Sequence, residues 1–150
     1  MVIKVSGSLV YPPSPDYLKA FRSSVFRLHD EGLGLGIVVG GGAVARSFIT
    51  ALRPLGVPES LLDVIGIEAA NLNALAVALA LGPLSPPEVA SDVREAVRMA
   101  REGLIPVMGG LQPGQSTNSV AAVLAEALQA ELLVNLLNGV DGVYTGRPGE

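Results

Sequence analysis

Lys4, in the run Lys4-Val5-Ser6-Gly7-Ser8, and the triple glycine Gly40-Gly41-Gly42 with Ala45-Arg46 behind it are the residues best suited to hold an oxyanion. Glycines leave backbone N–H groups unshielded, and a helix starting at such a turn adds the positive end of its dipole. The lysine would supply a compact positive charge and the arginine a planar, bidentate one. A third stretch, Gly109-Gly110-Leu111-Gln112-Pro113-Gly114-Gln115-Ser116-Thr117, carries only neutral donors and acceptors. These suit a sugar, base or phosphate better than acid–base chemistry. A fourth, Asn138 to Thr145, contains Asp141 and Tyr144. Each has a plainer reading: Lys4 as an edge-strand lysine facing water, Arg46 as a surface residue, the glycine run as a tight turn that binds nothing.

The elements that would position these turns follow from periodicity. Val2–Val5, Ile37–Val39, Leu104–Met108 and Leu132–Leu137 are apolar runs too short for helices, the pattern of strands buried on both faces. Helices are predicted between them: from Ser14 or Asp16 to Asp30, from Ala43 to Leu52, a long Leu/Ala-rich one from Leu61 to Leu81, Glu88 to Glu102, and Asn118 to Leu128. Leu18, Phe21, Val25 and Leu28 would form the inner face of the first, and Val89, Val93, Ala96, Val97 and Ala100 that of the fourth. The alternation predicts an α/β fold, a three-layer αβα arrangement with a mainly parallel central sheet. Such sheets bind ligands at the carboxyl ends of their strands, where all four turns can converge.

Composition narrows the function. The 150 residues are 49% hydrophobic, enough for one domain with a real core, and the net charge of −4 offers no broad footprint for nucleic acid or an anionic membrane. Cysteine is absent, which removes disulfides, thiol nucleophiles and thiolate metal sites. His29, the single histidine, falls in the last turn of a helix and reads as a surface residue, not a ligand. The uncharged runs Ala69–Ser91 and Gly103–Ala125 are interrupted by Asn, Gly, Pro or Gln, so neither reads as a membrane span. With a strand pattern beginning at Val2, the expectation is a soluble cytoplasmic protein. The helix from Leu61 is apolar around most of its circumference and is expected to be covered by the core and by a second subunit.

Gly40, Gly42 and Ala45 also fit Gly-x-Gly-x-x-Ala, with Asp63 a little over twenty residues on, which raises a nicotinamide dinucleotide domain as a rival. It fits poorly, because that fingerprint belongs to the first strand and its acid to the end of the next strand. Asp63 instead enters a long helix, as its cap or as an acceptor for a sugar or base.

Taken together these residues resemble the amino acid kinase superfamily and, within it, the archaeal-type uridylate (UMP) kinases. Lys4–Ser8 is similar to the family's opening Lys-x-(Gly/Ser)-Gly-x turn, and Val39–Gly42 with Ala45-Arg46 to its second glycine turn. Leu62–Ile67 followed by Asn71–Ala74 resembles the start of its interface helix, Gly109–Thr117 its uridylate-binding loop, and Val140–Tyr144 its Val-Asp-Gly-Val-Tyr. The matches run along the whole chain in order.

The resemblance implies phosphoryl transfer from ATP to UMP, giving UDP and ADP, with Mg²⁺ carried on the ATP phosphates and no protein metal ligand assigned. Lys4 and Asp141 would be catalytic, Asp141 orienting lysines. UMP would meet Gly41, Asp63, Leu111, Gln112, Pro113, Gly114, Gln115, Ser116 and Thr117. ATP would meet Lys4, Val5, Ser6, Gly7, Ser8, Gly42, Arg46, Asn138 and Tyr144. A homo-oligomer through the Leu61–Leu81 helix, a hexamer, is implied as well. Three features depart from the family pattern: Arg147-Pro148 stands where Asp-Pro is usual, Gly139 is an extra residue before Val140, and residue 150 falls near the start of the family's C-terminal ATP-binding portion. The chain is therefore expected to be the acceptor-binding portion, without the C-terminal one. Acetylglutamate, carbamate and isopentenyl phosphate kinases are rivals within the superfamily, the last carrying a histidine that is absent between Gly42 and Arg46. A non-catalytic nucleotide- or oxyanion-binding subunit of the same fold is the alternative.

Overall fold

The two most β-branched runs, Val2–Val5 (β1) and Gly36–Val39 (β2), lie side by side at the centre of a four-stranded sheet in a computed structural model that describes residues 1–139 and 142. Val107–Met108 (β3) pairs with β2 and Leu133–Leu136 (β4) with β1, giving the order β3-β2-β1-β4. Every pairing is parallel, with Lys4 level with Val38 on one side and Asn135 on the other. β3 is shorter than the apolar run predicts, since Pro106 has no N–H for a ladder; its carbonyl accepts the Ile37 N–H at 2.9 Å instead.

Helices cover both faces. After β1 comes one helical turn, Gly7–Val10 (α1), where the sequence reads as a plain glycine turn. Pro15–Asp30 (α2) is capped by Ser14, whose hydroxyl accepts the Tyr17 N–H. Gly42–Leu52 (α3) follows β2, and Glu59–Leu81 (α4) is the long apolar helix. Val93–Arg101 (α5) and Thr117–Ala127 (α6) complete the set. Alternation along the strands divides the core into two layers. Ile3, Val5, Ile37, Val39 and Val107 pack against Phe21 and Val25 of α2 and Ala74, Val77, Ala78 and Leu81 of α4. Val2, Val38 and Met108 pack on the other face against Ala96 and Met99 of α5 and Val120, Ala121 and Leu124 of α6. The fold is thus the expected three-layer α/β architecture.

α4 is long and apolar enough to cross a membrane by length and composition. Its inner face nevertheless belongs to this core, with Leu62, Ala74, Val77, Ala78 and Leu81 fully buried. Leu61, Val64, Leu72 and Leu79 remain exposed on its outer side.

The helix expected over Glu88–Glu102 begins later, at Val93. Two prolines precede it, and Asp92 takes the cap: its carboxylate accepts the Glu95 N–H at 2.8 Å while Glu95 reaches back to the Ser91 N–H at 2.8 Å. This shortening changes the inner face. Ala90, Ala96 and Met99 are buried, whereas Val89, Val93, Val97 and Ala100 are only partly covered. Asp92→Ala is expected to cost about 1 kcal/mol in urea unfolding. Glu88→Ala, exposed and outside the helix, should stay within about 0.5 kcal/mol.

Candidate functional site

Two chain reversals at the carboxyl ends of β1 and β2 lie backbone against backbone. A Cβ on Gly7 would overlap the Gly40 carbonyl oxygen and come within 2.5 Å of the Gly42 nitrogen. One on Gly42, whose φ is +59°, would lie 2.6 Å from the Ser8 nitrogen. No side chain fits between them, which explains the glycines as close-approach residues. The two turns are also stitched by the Gly40 N–H, which donates to the Val5 carbonyl at 3.0 Å.

A third element holds this pair from below. Asn73, on the inner face of α4 and 4% exposed, donates from Nδ2 to the carbonyl oxygens of Gly40 at 2.9 Å and Gly41 at 3.2 Å. Engaging both carbonyls from the helix side fixes the peptide planes of the turn. Sequence reasoning assigned Asn73 no role. Its signal was an amide within an otherwise apolar helical face, where a buried polar group must find a partner. Gly109 and Gly110 bring the third stretch against the same helix: a Cβ on Gly110 would be 2.9 Å from the Ile67 Cα.

Between these elements lies a cavity of about 260 Å³. It is lined by Gly41, Gly42, Ala45 and Arg46 from the second turn and α3, by Asp63, Gly66 and Ile67 from α4, and by Gly110, Gln112, Gln115 and Thr117 from the third stretch. Asp63 does not cap α4, which begins four residues earlier with Pro58 at its cap. Its Oδ2 instead accepts the Gly114 N–H at 2.8 Å, joining α4 to the third stretch. Arg46 is exposed at the rim.

Other expected residues lie outside the lining. Leu111 packs toward the α5–α6 layer, Pro113 is exposed, and the Ser116 hydroxyl caps α6 by accepting the Ser119 N–H. Val5 is a core residue with its carbonyl already engaged. Ser6 and Ser8 share a hydroxyl–hydroxyl hydrogen bond of 2.8 Å, and Asn138 donates from Nδ2 to the Ser8 carbonyl at 3.3 Å, so these three sit with α1. Asp141 and Tyr144 lie outside the described residues. Among those described, no group of three or more His, Asp or Glu side chains could hold a metal ion.

Among the described residues Lys4 is the one charged residue in the core, 9% exposed and with no ion-pair partner there. It does not face water as an edge lysine would, because β1 is internal to the sheet. Burial pushes its ammonium below the ordinary 10.5. A buried cation beside two N–H-bearing turns is a place that gains from an anion. A larger cavity, about 730 Å³, opens at the opposite end of the sheet near Met1, Leu35 and Ile105. It includes His29 but none of the glycine turns, and it faces the amino ends of the strands.

The whole chain, residues 1–150, matches the model of the Amino acid kinase family. It is 53% identical over 148 residues to a uridylate kinase of Aeropyrum pernix, covering 99% of this chain and 66% of that protein. A uridylate kinase of Hyperthermus butylicus is 49% identical over 148 residues, covering 99% and 65%. The chain thus spans about two thirds of the length of these relatives. Among solved structures, the uridylate kinase of Archaeoglobus fulgidus superposes with a TM-score of 0.85 at 34% identity, covering 99% of this chain and 68% of that one. The UMP kinase of Bacillus anthracis, at 23% identity with a TM-score of 0.78 and coverage of 98% and 68%, supports the fold alone.

Two measurements check this geometry. Gly7→Ala is expected to lose about 1–3 kcal/mol of stability through overpacking, whereas Gly34→Ala, with open space around it, should change it by less than about 0.5 kcal/mol. For Lys4, the lowered folded value means that the unfolded chain binds more protons between that value and 10.5. Wild-type stability therefore rises with pH through that window. Lys4→Met should melt higher than wild type at neutral pH, and its advantage should shrink as pH climbs toward 10.5.

Proposed function

The chain belongs to the amino acid kinase family, and from that premise we propose that it carries the acceptor site of a uridylate kinase, where UMP is phosphorylated by ATP to give UDP and ADP. The observation that carries this reading is the cavity at the carboxyl ends of the strands, where a glycine turn, Arg46, Asp63, Gln112, Gln115 and Thr117 meet, with Lys4 buried on β1, the strand that leads into the first turn. The neutral amides and the Thr117 hydroxyl suit a base and ribose. Asp63 Oδ1 has accepting capacity for a ribose hydroxyl while Oδ2 holds Gly114. The glycine-turn N–H groups and Arg46 suit the UMP phosphate.

In the transfer, an oxygen of the UMP phosphate attacks the γ-phosphorus of ATP and the bond from that phosphorus to the ADP oxygen breaks. The attacking phosphate is already ionised near neutral pH, so no general base is required and catalysis reduces to alignment and charge neutralisation. Lys4 and the N–H groups around Gly7 and Ser8 would receive the transferring phosphoryl group, with Gly42 facing it from the second turn. Mg²⁺ would arrive on the ATP phosphates and neutralise part of their charge. Asn138, whose side chain donates to the Ser8 carbonyl, and Asp141 and Tyr144, which lie outside the described residues, belong in this proposal to the ATP side and to lysine orientation.

We place the chain in the cytoplasm and its single domain in a homo-oligomer, a hexamer, through the outer face of α4. Leu61, Val64, Leu72 and Leu79 are the apolar residues on that face.

Calorimetric titration with UMP, CMP, AMP and ATP·Mg²⁺ tests the reading, with ADP production measured alongside. UMP is expected to bind selectively, and Asp63→Ala, which also releases the Gly114 N–H, should weaken UMP binding about tenfold or more, the loss of a charge-assisted hydrogen bond. A folded sample that binds no UMP sinks the acceptor assignment. UMP binding without ADP production favours the non-catalytic nucleotide-binding alternative.

A further inference from the structure

Lys4 and Asn135 occupy paired register positions on the central strand β1 and its neighbour β4. In a parallel ladder, paired residues project to the same face, with strands about 4.8 Å apart. That face is the one covered by α6, since Val2, two residues before Lys4, and Val38, its partner on β2, both pack there. An amide is an odd choice for this place: Asn is disfavoured in strands, and β4 otherwise reads Leu-Val-x-Leu. Asn135 Oδ1 is buried without any hydrogen-bond partner. Beside it, the Lys4 ammonium has no ion-pair partner among the described residues. No hydrogen bond joins the two side chains in the structure as it stands. Yet an orphaned buried acceptor next in register to a buried ammonium without an ion pair among the described residues has one obvious partner within a change of side-chain rotamer.

We propose that Asn135 is a positioning residue for Lys4, its Oδ1 accepting one N–H of the ammonium and leaving the other two for the phosphoryl group at the glycine turns. An ammonium has three donors and no acceptor, so one fixed acceptor sets the direction of the remaining two. A lysine otherwise free about four carbon bonds would lose that direction. The proposal rests on the uridylate kinase reading for the identity of the phosphoryl group only; the pairing itself is independent of it. The elements packed on this face add little charge. β2 and β4 carry none, the one charged side chain of α6, Glu126, is exposed in its last turn, and on α5 Arg94, Arg98 and Arg101 are exposed while Glu95 accepts from the Ser91 N–H.

The chain has two lysines, Lys4 and the exposed Lys19, so a ¹⁵N-detected titration of the side-chain Nζ signals resolves Lys4 with an internal reference. The comparison is wild type against Asn135→Leu and the isosteric Asn135→Asp, with UMP titrated into each by calorimetry. Removing the acceptor in Asn135→Leu is expected to lower the Lys4 midpoint by about one pH unit, tenfold in proton affinity. Asn135→Asp should raise it by at least as much, and Lys19 should not move in either. A general loosening of the edge strand would raise the Lys4 midpoint toward the ordinary 10.5 in both variants, and that result, or identical Lys4 midpoints in all three proteins, overturns the pairing. If Asn135→Leu does not fold, Asn135→Ala, which removes the same acceptor with less bulk, takes its place with the same expected fall. The expected shifts with no UMP binding in wild type would leave the pairing intact and remove the substrate reading instead.

Discussion

The contact between the reversals after β1 and β2 is the constraint on which the rest of this structure depends. Gly7 and Gly42 meet with no room for a Cβ on either side, so the carboxyl ends of the two central strands can bring their backbone amides to one place. Asn73 fixes the second turn from the helix side, and Gly109 and Gly110 let the third stretch approach the same helix. α4 therefore has two tasks. Its apolar residues build the core against β1 and β2, and its polar residues, Asn73 and Asp63, hold the loops that surround the cavity.

Lys4 runs against the stability of this arrangement. A cation placed among Val2, Val38 and the α6 layer forfeits hydration without an ion pair in return, at least among the described residues. A residue that opposes folding on a strand leading into a backbone turn is a candidate for a functional role. The same reasoning separates Lys4 from the arginines of α5: Arg98 pairs with Glu95 and Glu102 on an exposed surface and explains itself.

Much of this was legible in the sequence because period and punctuation coincide. Four β-branched or apolar runs, each followed by glycine, specify parallel strands with turns at one end, and Ser14 marks the start of α2 as read. The third stretch was recognisable from its uncharged polar content. What was not legible depended on contacts far apart in the chain. The partner of Asp63 is a backbone N–H fifty-one residues on, so its sequence position alone suggested a cap. Nothing local distinguished Asn73 from Asn71, yet one faces the glycine turn and the other does not. The late start of α5 was missed because hydrophobic period continues through Val89, while the prolines and the Asp92 cap set the boundary.

The strand order has a temporal consequence. β1 emerges before the other described strands, yet it is flanked on one side by β2 and on the other by β4, the last strand described. The two glycine turns and α4 can find one another early, but the wall beside Lys4 stays open until Leu133–Leu136 docks against Val2–Val5. Such non-local pairing is slow to form, because a long loop must close before any contact rewards it. The lysine is thus solvated until β4 has been made and is dehydrated as that strand docks, so one step both extends the sheet and closes the wall beside Lys4.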